Sequence, residues 1–243
     1  MKPLHSALII ILIILSFGMF FYIHSPWAQR SIKYVLYTVK KTVFKIPEKE
    51  IAIKLDVPYH RQEHALSCEV AALKMALNFY GVKISESELL ALLPYDTKLP
   101  RSKNKIWGDP DLGFVGNIDG SIPNGGYGVY ERPIADIASK FRKSNALNNV
   151  KLSDILTEVA DKHPVIVWGT LASGKDISWK TKEGKFIKAI YGEHTRVIIG
   201  FSGTINNPKY IILHDPIYGT ITMTKEKFLK NWALLGNKAV VVY

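Results

Sequence analysis

The chain has 243 residues, 47% of them hydrophobic, which is enough apolar material to bury one sizeable core. Its formal net charge is +11, but the basic residues form no known nucleic-acid-binding motif, so a nucleic-acid partner is disfavoured. The single cysteine excludes an intrachain disulfide, and the commonest role of a lone cysteine is that of a small core residue.

The first predicted element is an apolar segment, Leu4 to Ile23, interrupted only by His5 and Ser16. At about 1.5 Å per residue, a helix of this length matches a hydrocarbon core of about 30 Å. A cleavable signal usually has a shorter apolar region and small residues at its cleavage site. We therefore predict that residues 1–26 form a transmembrane anchor or an uncleaved signal.

The flanking charges bear on the side of the membrane that the rest of the chain occupies. Only Lys2 precedes the apolar segment and several cations follow it, which by the positive-inside rule favours a cytoplasmic C-terminus. Long domains translocate largely regardless of flanking charge, and the segment resembles an uncleaved export signal. We expect the domain to be extracytoplasmic at the cell membrane, with a single membrane pass.

Residues 27–47 are predicted to form a basic juxtamembrane helix or stalk, because cations alternate with apolar residues at helical spacing. The cations are Arg30, Lys33, Lys40, Lys41 and Lys45. This helix either contacts anionic head groups or is a solvated stalk. Pro47 ends it, so we predict one domain over 48–243, beginning with a strand at Ile51 to Val57.

Helices precede strands in the rest of the chain, which predicts an α+β fold. The predicted helices are Cys68–Tyr80 closed by Gly81, Ser85–Leu93 with a Ser85 and Glu88 capping box, Pro133–Lys143, and Leu152–Lys162. The predicted strands are Val165–Thr170, Thr195–Phe201, Lys209–His214 and Ala239–Tyr243. Residues 94–132 are rich in Gly, Pro, Asp and Asn, and form either a functional loop or an ordered surface excursion.

Cys68 is placed at the N-terminus of its predicted helix, where free N–H groups and the helix dipole favour a thiolate. Such placements can lower a cysteine pKa to roughly 3.5–7.5, and a thiolate attacks carbonyl carbon. His194 opens one strand and Asp215 ends the next, so antiparallel pairing would bring the two side chains close. Gln62 lies six positions before Cys68 in a loop, where its amide can point beside the Cys68 N–H. These residues can fill the roles of nucleophile, base, orienting group and oxyanion donor.

Three segments carry a resemblance to a known family: Gln62 to Leu77, the strand from His194 to Ile198, and Leu213 to Gly219. They resemble the motifs of cysteine peptidase family 39, which is papain-like and best known from exporter domains that trim double-glycine leader peptides. The resemblance implies a papain-like cysteine peptidase domain over most of residues 51 to 243. It implies Cys68 as nucleophile, His194 as general base, Asp215 as orienting residue and Gln62 as oxyanion donor.

Two positions beside the cysteine differ from the exporter domains, which usually have an acidic residue before it and a glycine after it. Here these positions hold Ser67 and Glu69. The chain is more similar to the stand-alone, membrane-attached branch of the family. The predicted function is a membrane-anchored, monomeric thiol peptidase acting on peptides or proteins. An acyltransferase or transpeptidase, or a non-catalytic peptide-binding module of the same fold, is the alternative.

Several other residues near these motifs are expected to be structural. His60, His64 and Cys68 have the spacing of zinc ligands on a helix, but Pro58 disfavours that helix, so no metal or cofactor is predicted. His214 should point away from Asp215, and Glu193 is expected to be a solvated or strand-edge charge. Core or rim packing is expected for three tryptophans, with a substrate groove as the alternative: Trp107, Trp168 and Trp179.

Overall fold

The fold is centred on a seven-stranded sheet in which every pair of neighbours is antiparallel. The structure is a computed structural model that describes residues 50–243 except 172 and 173. The strands of this sheet are β1 (Ile51–Lys54), β5 (Ser144–Leu147), β6 (Val165–Thr170), β9 (Glu193–Gly203), β10 (Pro208–Asp215), β11 (Gly219–Thr224) and β12 (Ala239–Val242). The order is β11-β10-β9-β6-β12-β5, and β1 pairs with β9.

Strand β9 is the longest strand and the centre of this sheet. It pairs with β10 along one edge, and with β6 and then β1 along the other. Its central run Val197–Phe201 is apolar and, except for Gly200, β-branched or aromatic, as expected of a strand that is covered on both faces. Strand β9 begins at Glu193, two residues earlier than the sequence predicts, because Glu193 still pairs with Thr170 of β6.

Two smaller sheets complete the strands. The first contains β2 (Tyr95–Thr97), β3 (Phe114–Gly116) and β4 (Gly126–Gly128), and the second is a hairpin of β7 (Asp176–Lys180) and β8 (Phe186–Ile190). The first sheet lies within the Gly-rich segment 94–132, whose Phe114, Val115 and Tyr127 are buried in the core. This segment is therefore ordered and contributes to the core.

The described residues form five helices: α1 (Cys68–Phe79), α2 (Glu86–Leu92), α3 (Glu131–Ser139), α4 (Leu152–Ala160) and α5 (Lys225–Ala233). Helix α1 packs on β9 and β6, and Gly81 follows it with a φ of +80°. Helix α2 has the predicted capping box between Ser85 and Glu88. The mixed helix and sheet architecture is confirmed. The prediction lacked α5, the β7–β8 hairpin, β5, β11 and the three short strands within residues 94–132.

The predicted apolar segment Leu4 to Ile23 and the basic stalk 27–47 lie outside the described residues. Within the described part of the chain, no helix has both the length and the apolar character needed to cross a bilayer.

Candidate active site

Cys68 is the first residue of α1, and its side chain is buried, with 5% of its surface exposed. The thiol donates a hydrogen bond to Glu69 Oε2 at 3.3 Å. Burial raises the pKa of Cys68 well above its usual value, and the Glu69 and Glu193 carboxyls raise it further, while the Thr195 backbone N–H acts in the opposite direction. The predicted lowering of this pKa by the helix dipole is wrong, because burial and two carboxyl groups outweigh the dipole.

Glu69 and Glu193 form a buried pair beside the thiol. Glu69 Oε1 accepts the Val129 backbone N–H at 2.7 Å, and Glu193 Oε1 accepts the Thr195 hydroxyl at 3.3 Å. Burial raises the pKa of Glu69 to about 7. Burial, followed by the Glu69 charge, also raises the pKa of Glu193 well above its usual value. The prediction of a solvated or strand-edge Glu193 is wrong, because this first residue of β9 is buried against Glu69 and Gly128.

His194 and Asp215 lie together on the sheet, where both are buried. His194 Nε2 is 3.1 Å from Asp215 Oδ2, at an angle outside a normal hydrogen bond, and Arg196 Nε donates to the same oxygen at 2.7 Å. Asp215 Oδ1 accepts the N–H of Ile217 at 2.9 Å and of Tyr218 at 3.2 Å. The aspartate is therefore held by an imidazole, a guanidinium and two backbone donors.

These contacts set the charges of the pair. Burial by itself would raise the pKa of Asp215, but the His194 contact, the Ile217 N–H and the Arg196 charge hold it well below its usual value. Burial lowers the pKa of His194, the contact with Asp215 opposes this, and Arg196 adds to the lowering. At neutral pH the pair consists of an ionised aspartate and a neutral imidazole.

The thiol and the imidazole contact groups on opposite faces of β9. Alternate residues of a strand point to opposite faces, and Glu193 lies beside Cys68, whereas His194 and Arg196 contact Asp215. Within the part of the chain that the structure describes, no hydrogen bond joins Cys68 Sγ to His194. The structure brings His194 to Asp215, and it places the thiol against the backbone of the next residue, Thr195.

Gln62 lies in the loop before α1, and its side-chain amide binds that loop. Its Nε2 donates to the carbonyls of His64 at 2.8 Å and Ala65 at 3.0 Å, which occupies both amide hydrogens. Its backbone N–H donates to Pro216 O at 3.1 Å, beside Asp215. In this arrangement Gln62 connects the two halves of the site, and no side-chain N–H is free for an oxyanion.

The histidines near the site have structural partners. The helix that would align His60 and His64 with Cys68 does not form, and His60 Nε2 lies 2.7 Å from Glu86 Oε2 while His64 Nδ1 lies 3.0 Å from Asp119. His214 Nε2 lies 2.9 Å from the Val57 carbonyl oxygen, in agreement with a structural role.

Among the described residues, two groups of side chains have the spacing of metal ligands: His60 with Glu63 and Glu86, and Cys68 with Glu69 and Glu193. Lys74 Nζ is 3.4 Å from His60 Nε2 in the first group, which puts a cation where a metal would sit. In the second group the thiol and both carboxyls already have hydrogen-bond partners. The three tryptophans considered for a groove are buried in the core: Trp107, Trp168 and Trp179.

Glu69 and Arg196 are the site residues that sequence reasoning missed. Glu69 immediately follows the candidate nucleophile in the sequence. Arg196 is a charged residue directly before the apolar run Val197–Phe201, and such a residue is buried only with a partner. Both signals were present in the sequence, but neither identifies the partner.

Residues 54–240 match the model of the Peptidase_C39 like family, so the chain belongs to that family. A solved structure from Bacillus anthracis, assigned as a C39-like peptidase, is 25% identical to this chain with a TM-score of 0.68. The match covers 79% of this chain and 98% of that chain. The mixed helix and sheet arrangement, with its antiparallel sheet, is therefore a C39-like peptidase fold. No curated protein matches the chain significantly.

Two further solved structures are more distant. A double-glycine-motif protease from an AMS/PCAT transporter, in complex with the leader peptide, is 15% identical with a TM-score of 0.44, covering 79% of this chain and 99% of that chain. The peptidase domain of Streptococcus ComA, a bifunctional ABC transporter of a quorum-sensing pathway, is 18% identical with a TM-score of 0.43, covering 76% and 98%.

Proposed function

We propose that the chain is a cysteine peptidase that hydrolyses peptide bonds with Cys68 as nucleophile, His194 as general base and Asp215 as the residue that orients the imidazole. The observation that carries this proposal is the buried contact of 3.1 Å between His194 Nε2 and Asp215 Oδ2. Thr195, the residue after His194, has its backbone N–H against the Cys68 sulfur. Membership of a peptidase family supports the same chemistry.

The reaction starts from a neutral thiol and a neutral imidazole, and a neutral imidazole is able to accept a proton. The Cys68 side chain rotates towards His194, and the S–H proton passes to the imidazole as sulfur bonds to the substrate carbonyl carbon. The carbonyl electron pair moves to oxygen, near the N–H groups at the start of α1. Asp215 stays ionised and stabilises the imidazolium.

The remaining steps return the protein to its starting state. The C–N bond breaks with its electron pair on nitrogen, and the leaving amine takes the proton from His194. Water then attacks the thioester while His194 takes a proton from it, and that proton returns to sulfur when the acid is released. An amine in place of water would give acyl transfer by the same steps.

The test is digestion of a mixed peptide library by the full chain, with products identified by mass spectrometry. We expect Cys68→Ser and His194→Ala each to lower the cleavage rate by at least 10²-fold, since each removes a group that takes part in the chemistry. Asp176→Asn, which changes an exposed ion pair, is the control and should cleave at the parental rate. Cleavage that persists in Cys68→Ser would contradict the proposal.

We further propose that the peptidase is anchored in the cell membrane by residues 1–26 and acts on its outer face on peptides or protein segments. The support is the apolar segment from Leu4 to Ile23. Protease added to intact cells should degrade the domain while a cytoplasmic marker survives. A domain that is degraded only after the membrane is opened would reverse this topology.

A second candidate function is a peptide-binding module without catalysis. Two sets of hydrogen bonds favour it. The Cys68 thiol donates to Glu69, and both Gln62 amide hydrogens are donated to loop carbonyls. In that case library peptides would be retained on the immobilised chain without cleavage, and Cys68→Ser would retain the same peptides.

A further inference from the structure

Glu69 makes a contact that no part of the proposed reaction uses. One of its carboxylate oxygens accepts the Cys68 thiol at 3.3 Å, and the other accepts the Val129 N–H at 2.7 Å. The two residues are neighbours at the start of α1, and both are buried. The side chain of Glu69 is therefore fixed from both ends, and its position fixes the direction of the thiol proton.

Gly128 provides the space that this arrangement needs. A Cβ built at Gly128 would lie 2.5 Å from Glu193 Oε2 and 2.6 Å from Glu69 Oε1. Both distances are shorter than any normal contact of a Cβ atom, and the φ of +149° at Gly128 strains any other residue, so a side chain here would displace the two carboxyls. The carboxyl pair is built into the packing between α1, β4 and β9.

No cation in the described structure forms an ion pair with either carboxyl, and the charge of Arg196 only partly opposes the rise in the pKa of Glu193. Arg196 is bound to Asp215 on the other face of β9. The other titratable or charged groups that influence the pair, or are influenced by it, are Tyr95, Tyr127, Tyr130 and Arg196. A thiolate at Cys68 would thus face one or two negative carboxylates at close range.

We infer that Glu69 is a positioning residue that holds the Cys68 thiol protonated and directed away from His194, so that this contact must open before attack. The inference rests on the proposed function for the identity of the nucleophile. Glu69, the residue after the cysteine, thereby controls the reactivity of the nucleophile.

The test is the rate of iodoacetamide alkylation of Cys68 in the full chain between pH 5 and pH 10. Glu69→Gln keeps the shape of the side chain and removes its charge, and the exposed Glu226→Gln is the matched control. We expect Glu69→Gln to react about five- to tenfold faster than the parent at pH 8, because one adjacent charge typically shifts a pKa by 1–3 units and Glu69, with a pKa of about 7, is mostly ionised at that pH. Glu226→Gln should match the parent.

The pH dependence separates control by charge from a loss of packing. Below about pH 6 the Glu69 carboxyl is neutral, like glutamine, so the ratio of the two rates should fall towards one. A faster rate with the same ratio at every pH, or a slower rate at pH 8, would overturn the inference.

A second measurement needs no variant. If Glu69 holds the thiol as inferred, the parent should be alkylated with an apparent pKa above that of a free cysteine, which is about 8.5. An apparent pKa at or below that value would also overturn the inference. Alkylation requires no peptide cleavage, so a failure of the proposed function, seen as cleavage by Cys68→Ser, is distinguishable from a failure of this inference.

Discussion

The two faces of strand β9 show opposite solutions to the burial of charged groups. On one face, the Asp215 carboxylate is bound by Arg196 at 2.7 Å and lies 3.1 Å from His194. On the other face, Glu69 and Glu193 lie beside the Cys68 thiol, and no ion pair to a cation compensates them in the described structure. A buried carboxyl is either paired with a cation or kept protonated, and this strand shows both cases.

The comparison explains why three carboxyl groups within one site have different charges. The pKa of Asp215 is held below its usual value by its partners, whereas burial without a cation raises the pKa of Glu69 to about 7. The pair of His194 and Asp215 is thus prepared for proton transfer, and the cysteine side is kept uncharged. For the proposed reaction, the Cys68 thiol has to leave Glu69 and reach the His194 imidazole.

The largest expected effect is the loss of the ionised carboxylate at Asp215. Asp215→Asn leaves the Arg196 guanidinium buried without an anion, and loss of one partner from a buried pair costs about 3–5 kcal/mol. Urea denaturation of the full chain at pH 7 would measure this loss of unfolding free energy.

The control for that prediction is Asp176→Asn, whose ion pair with Lys188 is exposed at both ends. Exposed pairs contribute about 0–1 kcal/mol, so this variant should unfold close to the parent. Equal losses in the two variants would show that Asp215 is not held as a buried anion.

The stability of the fold should depend on pH in opposite directions for the carboxyls on the two faces of β9. The folded pKa values of Glu69 and Glu193 are raised, so their contribution to stability is complete below their unfolded value and is lost as the pH rises through the folded values, about 7 for Glu69. The folded pKa of Asp215 is lowered, so its contribution is lost in acid. Raising the pH therefore destabilises the fold through Glu69 and Glu193, and lowering the pH destabilises it through Asp215.

Glu69→Gln removes one of the two alkaline contributions. Between pH 5 and pH 8 we expect the parent to lose unfolding free energy on the order of 2–3 kcal/mol from this carboxyl, and the variant to lose clearly less. Urea midpoints at several pH values provide the measurement. A variant with the same alkaline loss as the parent would place the responsible group elsewhere.

The smallest expected effect concerns the loop that connects the two faces. Gln62→Ala removes two hydrogen bonds to loop carbonyls and should cost about 1–2 kcal/mol in unfolding free energy. We expect the rate of cleavage at saturating peptide to change less than tenfold, because both amide hydrogens are already occupied. A loss of 10²–10³ in kcat, the usual effect of removing an oxyanion donor, would instead show that Gln62 serves the oxyanion.

Local sequence signals predicted the elements that carry the site. The capping box of Ser85 and Glu88 forms as predicted, because both partners lie within one turn. The approach of His194 to Asp215 follows from two consecutive antiparallel strands with a short connection, which is also readable from sequence order. The end of the first helix at Gly81 is a third example of a feature determined by residues close in the chain.

Helix α5 and the β7–β8 hairpin were missed because their signals are weak. Helix α5 has Thr224 as its N-cap and the apolar pair Phe228 and Trp232 one turn apart, but much of its sequence is charged. Its place is determined by contacts with β6, β10 and β11. Tertiary packing here outweighs a marginal local pattern.

The sequence by itself determined that Cys68 begins a helix, that His194 and Asp215 lie on adjacent strands, and that the chain resembles family 39 peptidases. Only the tertiary structure decided the direction and the protonation of the thiol. Those properties depend on Glu193 and Val129, which are distant from Cys68 in sequence and reach it through β9 and the strand that precedes α3. Burial and the charges of neighbouring groups depend on residues that are close in space and not in sequence. The position of Cys68 at a helix N-terminus predicts a thiolate, whereas its buried, acidic surroundings raise the pKa of the thiol.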